Sequence, residues 1–145
     1  MTHSPRNPAY PEIVKESFSR QGLMRTLGAE IAEIAPGRCT ITAPIRPETA
    51  QQHGFAHAGT TFAIGDSACG YAALSLQAPG IEVLTSEMKI HLLAPATGAR
   101  LVARGEVLRA GRRLVVARAD VFAETGEDSR HVATLLGTIV PVPAG

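Results

Sequence analysis

Tryptophan is absent, the remaining aromatics make up 4% of the chain, and 14 basic residues are balanced by 13 acidic ones to a formal net charge of +1. A surface that reads nucleic acid needs an excess of basic residues interleaved with aromatics, so that class is excluded. Cysteine is nearly missing too. Cys39 and Cys69 are the only ones, and Cys69 falls inside an apolar helical stretch, which argues against a disulfide framework and fits a reducing cytoplasm. The longest apolar stretch is interrupted by Asp66 and has no basic flanks, against a membrane span. Met1 to Pro11 holds three prolines and no apolar run, unlike a secretory signal. Repeats and low-complexity segments are also lacking. What is present is 145 residues, 45% hydrophobic and 19% charged, enough for one domain with a real core.

That core is organised around Gln51 to Ala78, QQHGFAHAGTTFAIGDSACGYAALSLQA. From Ala58 onward it is nearly uncharged and rich in small residues such as Gly59, Ala63, Gly65, Ala68 and Gly70. Phe62, Ile64, Tyr71 and Leu74 lie between them, and no broad polar face is left. A helix that is apolar all round is a buried helix. Asp66 breaks the pattern. A buried carboxylate is costly unless it is paired, hydrogen-bonded or used, which makes Asp66 the first functional candidate.

The remainder supplies cover and sheet. Met1 to Pro11 is expected to be a loose arm, and Pro11 suits the first position of an amphipathic helix running to about Arg25. Alternation on either side of Pro36-Gly37 in AEIAEIAPGRCTITAPI signals a hairpin, which Pro44 and Pro47 close. Pro79-Gly80 is expected to end the central helix. Strands follow over Glu82 to Leu93, with a bulge near Glu87 where the alternation changes. Further strands cover Arg100 to Arg109, Leu114 to Ala123 and Arg130 to Val140, the last stopped by Pro141 and Pro143. Antiparallel hairpins around one helix define a single α+β domain over residues 1-145.

Gln51, Gln52, His53 and His57 cluster ahead of Ala58-Gly59-Thr60. The unpaired N–H groups and partial positive charge of a helix start suit a polarised carbonyl or an oxyanion. Asp66 lies roughly 12 Å further along, at a rise of ~1.5 Å per residue. One carbonyl cannot touch both. If both serve one reaction they come from two copies of the chain, and a homodimer with two shared sites follows. His53 and His57 have the residue types of metal ligands but precede the helix rather than share its face, so no metal is expected. Ser67 lacks the glycine that a nucleophile elbow places two residues later. Arg109, Arg112 and Arg113 around Gly111 form the one basic cluster. It is either a solvated hairpin tip or a set of guanidinium groups placed for phosphates.

Several of these stretches occur in a telling order. HGFAHAG is followed by the Asp66 to Gly70 run, then by the strand Thr85-Ser86-Glu87-Met88-Lys89-Ile90 ending in Leu93-Ala94-Pro95-Ala96, then by the Arg109-Ala110-Gly111-Arg112 turn. From about Leu27 to Val140 this set resembles the PaaI-type acyl-CoA thioesterases of the hotdog fold. The resemblance implies a curved antiparallel sheet wrapped around a long central helix, dimers and usually tetramers, hydrolysis of a CoA thioester, and no cofactor beyond the CoA of the substrate. It implies that Asp66 is the catalytic carboxylate, as general base or nucleophile, and that Thr85 helps hold the water. The Ala58 N–H, standing where the family has glycine, binds the thioester oxygen. Gln51 stands for an asparagine that assists the carbonyl, with Gln52 as competitor, and His57 is the loop histidine. Gly59 and the Gly111 turn, with Arg109, Arg112 and Arg113, would contact the substrate. Two rivals stand beside this reading: a non-catalytic acyl-CoA or lipid-ligand binder, and a dehydratase using His57 with Asp66.

Overall fold

Turn chemistry and alternation build the sheet. In the computed structural model, which describes residues 2–145, the elements in chain order are α1 (Tyr10–Ser19), α2 (Gly22–Leu27), β1 (Glu30–Ala35) and β2 (Arg38–Pro44). A 3-10 turn and then α3 (Ala58–Leu74), β3 (Ile81–Leu92), β4 (Arg100–Ala110), β5 (Val115–Thr125) and β6 (Asp128–Pro143) follow. Gly37 adopts φ 75° after Pro36, a left-handed conformation open to a residue without a Cβ, and closes the expected β1–β2 hairpin. All neighbours pair antiparallel in the order β1-β2-β4-β5-β6-β3, so β1 and β3 are the edges.

α3 packs across one face of this sheet, touching β2 through β6, with Ile64, Ala68, Cys69 and Ala72 wholly buried. It lies close because Gly105 of β4 presents no side chain. A Cβ there would come within 2.4 Å of the Ala68 carbonyl. Along β5, Val115, Ala117, Ala119, Val121 and Ala123 face the core. Arg118, Asp120, Phe122 and Glu124 alternate to the outer face, where charges pair: Arg118 with Glu106, Arg100 with Glu124 at 2.8 Å. Cys39 and Cys69 both belong to the packed layer. Burial pushes the Cys39 thiol up to about 12 and raises Cys69 as well, so both are small, protonated core side chains. Among the described residues no helix is long and apolar enough to cross a membrane.

Three boundaries differ from expectation, each for a tertiary reason. The single N-terminal helix is split, because Gln21 is extended (φ −77°, ψ 106°) and its amide donates to the Tyr71 hydroxyl at 2.7 Å. The central helix stops at Leu74, not Pro79. The Ser75 hydroxyl donates to the Ala72 carbonyl (2.7 Å) and accepts from the Gly37 N–H (2.8 Å), and Leu76 and Gln77 continue in tighter i→i−3 bonds. β6 runs past Pro141 to Pro143. The β5 pairing ends at Val115–Ile139, so beyond that point β6 has β3 alone beside it, and a strand with one free side tolerates proline. The segment ahead of α1, expected as a loose arm, is held at His3, whose Nε2 lies 3.0 Å from the Val107 carbonyl, and at buried Asn7.

Candidate active site

Asp66 and Thr85 meet where α3 faces the edge strand. The register slips between Thr85 and Glu87, leaving Ser86 as the extra residue of a bulge. Before it Val83 packs inward, and after it Met88 and Ile90 take the inner face. The bulge therefore lets Thr85 point at the helix while the rest of β3 keeps its core contacts. Its hydroxyl donates to Asp66 Oδ1 at 2.7 Å. Burial raises the Asp66 carboxyl above its ordinary value, and the Thr85 hydrogen bond offsets part of that rise by favouring the ionised form. A carboxylate so placed is a stronger base than one in water, with Oδ2 left to take a proton. Both residues open onto a cavity of about 340 Å³ that also reaches Ser17, Gln21, Gly70 and Tyr71.

The helix start forms a second cluster. His57 is the N-cap of α3, its Nδ1 accepting from the Gly59 N–H at 2.8 Å and its carbonyl from Thr60 (2.9 Å) and Thr61 (3.3 Å). Within that first turn, Ala58 keeps the one N–H without an acceptor among the described residues. The Gln51 side-chain oxygen accepts from the backbone N–H groups of His53 and Phe55, which leaves its NH2 as the group to offer outward. Gln51 and Ala58 line one cavity of about 400 Å³ with Phe55, Leu92, Leu93 and Val132. Gln52 and His53 are exposed on the turn. His57 and Gly59 open onto a different cleft, beside Leu27 and Thr60.

Asp66–Thr85 and Gln51–Ala58 thus lie in separate cavities, with Asp66 and Ala58 themselves roughly 12 Å apart along α3 at a rise of ~1.5 Å per residue. The basic turn belongs to the Asp66 end. Thr85 is level with Ile139, Ile139 with Val115 and Val115 with Ala110, so the tip carrying Gly111, Arg112 and Arg113 projects just past that row. A Cβ on Gly111 would meet the Leu114 carbonyl at 2.7 Å, which explains the glycine. Arg109, Arg112 and Arg113 are exposed, with no side-chain acceptor among the described residues.

Sequence reasoning missed two members of the far wall of the Asp66 cavity, Ser17 and Gln21. The Tyr71 hydroxyl lies 2.7 Å from Gln21 Nε2 and 3.2 Å from Ser17 Oγ, both from the N-terminal cover. No local signal ties residues 17 and 21 to 71. Gly70, one turn beyond Asp66, was legible as a gap left on the carboxylate's own face.

A buried helix laid on an antiparallel sheet is the hotdog arrangement, and the proteins it matches mark the chain as a thioester hydrolase of PaaI-like type. The family model of the thioesterase superfamily matches residues 53–129, and the chain belongs to that superfamily. A thioesterase family protein from Silicibacter pomeroyi is 43% identical, with TM-score 0.91 over 93% of this chain and 99% of its own. A variant of the phenylacetic acid degradation protein PaaI from Thermus thermophilus is 26% identical, with TM-score 0.72 over 83% and 98%. PaaI from the phenylacetic acid degradation operon of E. coli, at 20% identity and TM-score 0.84 over 93% and 94%, shares the fold.

Proposed function

We propose that the chain hydrolyses acyl-CoA thioesters, as a single-domain protein whose site is completed by a second copy. The observation that carries this is the separation of Asp66–Thr85 from Gln51–Ala58, each with the chemistry of half a site. β3 is an edge strand twelve residues long, with Leu84 and Leu92 exposed at 62% and 58%. Pairing it antiparallel with its own copy about Met88 and Lys89 brings Thr85 of one chain beside Leu92 of the other. The Asp66 cavity of one subunit then adjoins the Ala58 cavity of its partner.

In that site the Asp66 carboxylate takes a proton from water as the water oxygen attacks the thioester carbon. Thr85 holds Oδ1 and so keeps Oδ2 directed at the water. The negative charge that develops on the carbonyl oxygen is met by the Ala58 N–H and the Gln51 NH2 of the other chain. Collapse of the tetrahedral intermediate breaks the C–S bond. CoA leaves as thiolate and needs no strong acid; the products are the free acid and CoA. His57 acts from behind, holding the first turn of α3 so that the Ala58 N–H stays unclaimed. The basic turn supplies guanidinium groups for the CoA phosphates.

Release of free CoA thiol from short, medium, long and aryl acyl-CoAs tests this, with Asp66→Asn beside the unmodified chain. Turnover lost in Asp66→Asn, with association and CoA binding kept, is the expected result. Binding of CoA esters with no thiol release across the panel would overturn it in favour of a non-catalytic binder.

A further inference from the structure

The cavity beside Asp66 has a shape that the hydrolytic chemistry does not require. Its floor is Gly70, one turn after the carboxylate, and a Cβ built there meets nothing within 4 Å. The glycine therefore serves neither a close helix–sheet contact nor a turn. In mid-helix it is a poor choice on propensity alone, so the open space above it is the feature it maintains. Beyond Gly70 the space ends at Tyr71, 5% exposed, with its ring edge-on to Phe18 at 5.8 Å between centroids. Gln21 Nε2 donates to the Tyr71 hydroxyl at 2.7 Å. The Tyr71 hydroxyl and Ser17 Oγ lie 3.2 Å apart and either can donate to the other, so that bond uses one of their two protons. Neither hydroxyl has another acceptor among the described residues, so the second proton is left for the cavity that both line. Glu82 lines the same cavity and disfavours an anionic group there.

We propose that the acyl group lies over Gly70 and ends at the Ser17–Tyr71–Gln21 wall, which selects an uncharged acyl group carrying a hydrogen-bond acceptor at its remote end. This rests on the thioesterase reading of Asp66 and adds the substrate class. Gln21 donates to the Tyr71 oxygen, one hydroxyl proton joins Tyr71 to Ser17, and the hydroxyl proton left over donates to the ligand. A methyl-ended acyl group of the same length leaves that donor unpaired, and a carboxylate-ended one meets Glu82.

Three thioesters read this out with the unmodified protein: acetyl-CoA, hexanoyl-CoA and 6-hydroxyhexanoyl-CoA. The hydroxylated ester is preferred over hexanoyl-CoA by about 3- to 10-fold in kcat/KM, the worth of one neutral hydrogen bond. Ser17→Ala combined with Tyr71→Phe brings that preference to about unity. Gly70→Val lowers the ratio of either six-carbon ester to acetyl-CoA by about tenfold or more, through the volume it fills. Binding of the corresponding non-hydrolysable S-hexyl and S-(6-hydroxyhexyl) CoA thioethers, measured by calorimetry on the same variants, gives the same comparison without turnover. A failure of Asp66 chemistry therefore leaves the chamber decided. Thermal melting of Gly70→Val and of the smaller Gly70→Ala reports folding. Six-carbon ligands handled equally by the unmodified chain and both Gly70 variants, a hydroxylated ligand no better than the methyl-ended one, or a preference for the hydroxylated ligand that Ser17→Ala with Tyr71→Phe leaves unchanged, would overturn the proposal.

Discussion

Replacing Gly105 with alanine tests whether the closeness of α3 to β4 is what positions Asp66. The added Cβ would meet the carbonyl carbon and oxygen of Ala68 at 2.4 Å and the amide nitrogen of Cys69 at 2.9 Å. All three are backbone atoms, so no rotamer can give way. Ordinary contact begins at 3.4 Å, and 3.4 less 2.4 means that helix and strand must part by 1.0 Å. Overpacking costs about 1 to 3 kcal/mol, and a backbone contact that cannot repack falls at the upper end. At ~2–4 °C per kcal/mol for a chain of this size, a loss of about 3 kcal/mol lowers the melting temperature by roughly 6–12 °C. Activity falls further than stability explains. Asp66 is two residues from Ala68 on the same helix, and a 1 Å displacement of a catalytic group costs on the order of 100-fold. Calorimetric melting together with thiol release well below the transition measures both. Gly70→Ala on the same helix has open space for its Cβ and gains up to about 1 kcal/mol of helix propensity, which makes it the stability control. A Gly105→Ala protein that melts within about 2 °C of the unmodified chain and keeps full activity would refute the reasoning.

Three further outcomes are expected. Because burial raises the Asp66 pKa in the folded state above its unfolded value, the stability it contributes is full below the unfolded pKa and is lost as pH rises through the folded one. Asp66→Asn is therefore at least as stable as the unmodified chain at neutral pH and relatively less stable in acid, as urea unfolding at the two pH values will show. The Thr85 hydrogen bond lowers the Asp66 pKa, so Thr85→Val moves the acid limb of the kcat/KM profile to higher pH, read from thiol release across a pH series. Replacing Arg109, Arg112 and Arg113 together by alanine raises KM for acyl-CoA and flattens its salt dependence. Acyl-pantetheine thioesters, which lack the nucleotide phosphates, respond little, and paired KM measurements on the two substrates check this.

Much of this architecture is visible in the residues themselves. Pro36-Gly37 marks the hairpin, the break of alternation near Glu87 marks the bulge, and a lone carboxylate in an apolar helix marks Asp66. Each of these signals is local, and each concerns what a short stretch can or cannot do on its own. What escaped the sequence depends on partners distant along the chain. Gln21 leaves the helix because Tyr71 is there to accept from it. Ser75 ends α3 early because the Gly37 N–H is there to be capped. Pro141 and Pro143 are tolerated because β5 has already begun at Val115, leaving β6 with a free side. The site shows the same division. Asp66 and the helix start at Ala58 stand out by residue type and position, whereas Thr85 is an ordinary strand residue that only the resemblance singles out. That His57 spends its Nδ1 on Gly59 and faces another cleft, whereas Gln51 joins Ala58, is set by how the loop folds back on itself through Phe55.

The most direct test of a site shared between two chains is complementation by mixing. Asp66→Asn removes the base. Ala58→Pro removes the one donor and little else, because proline is favoured at the first helical position and His57, at φ −59° and ψ 139°, already has the backbone a following proline requires. Each variant alone should lose about 100-fold or more in kcat. Unfolded together and refolded at equal amounts, half of the dimers are mixed. Each mixed dimer holds one site with both defects and one with neither, so thiol release should recover to about one quarter of the unmodified rate. A mixture no more active than the two variants assayed apart, with mixed dimers shown to form, would contradict the shared site and place Asp66 and Ala58 in separate roles.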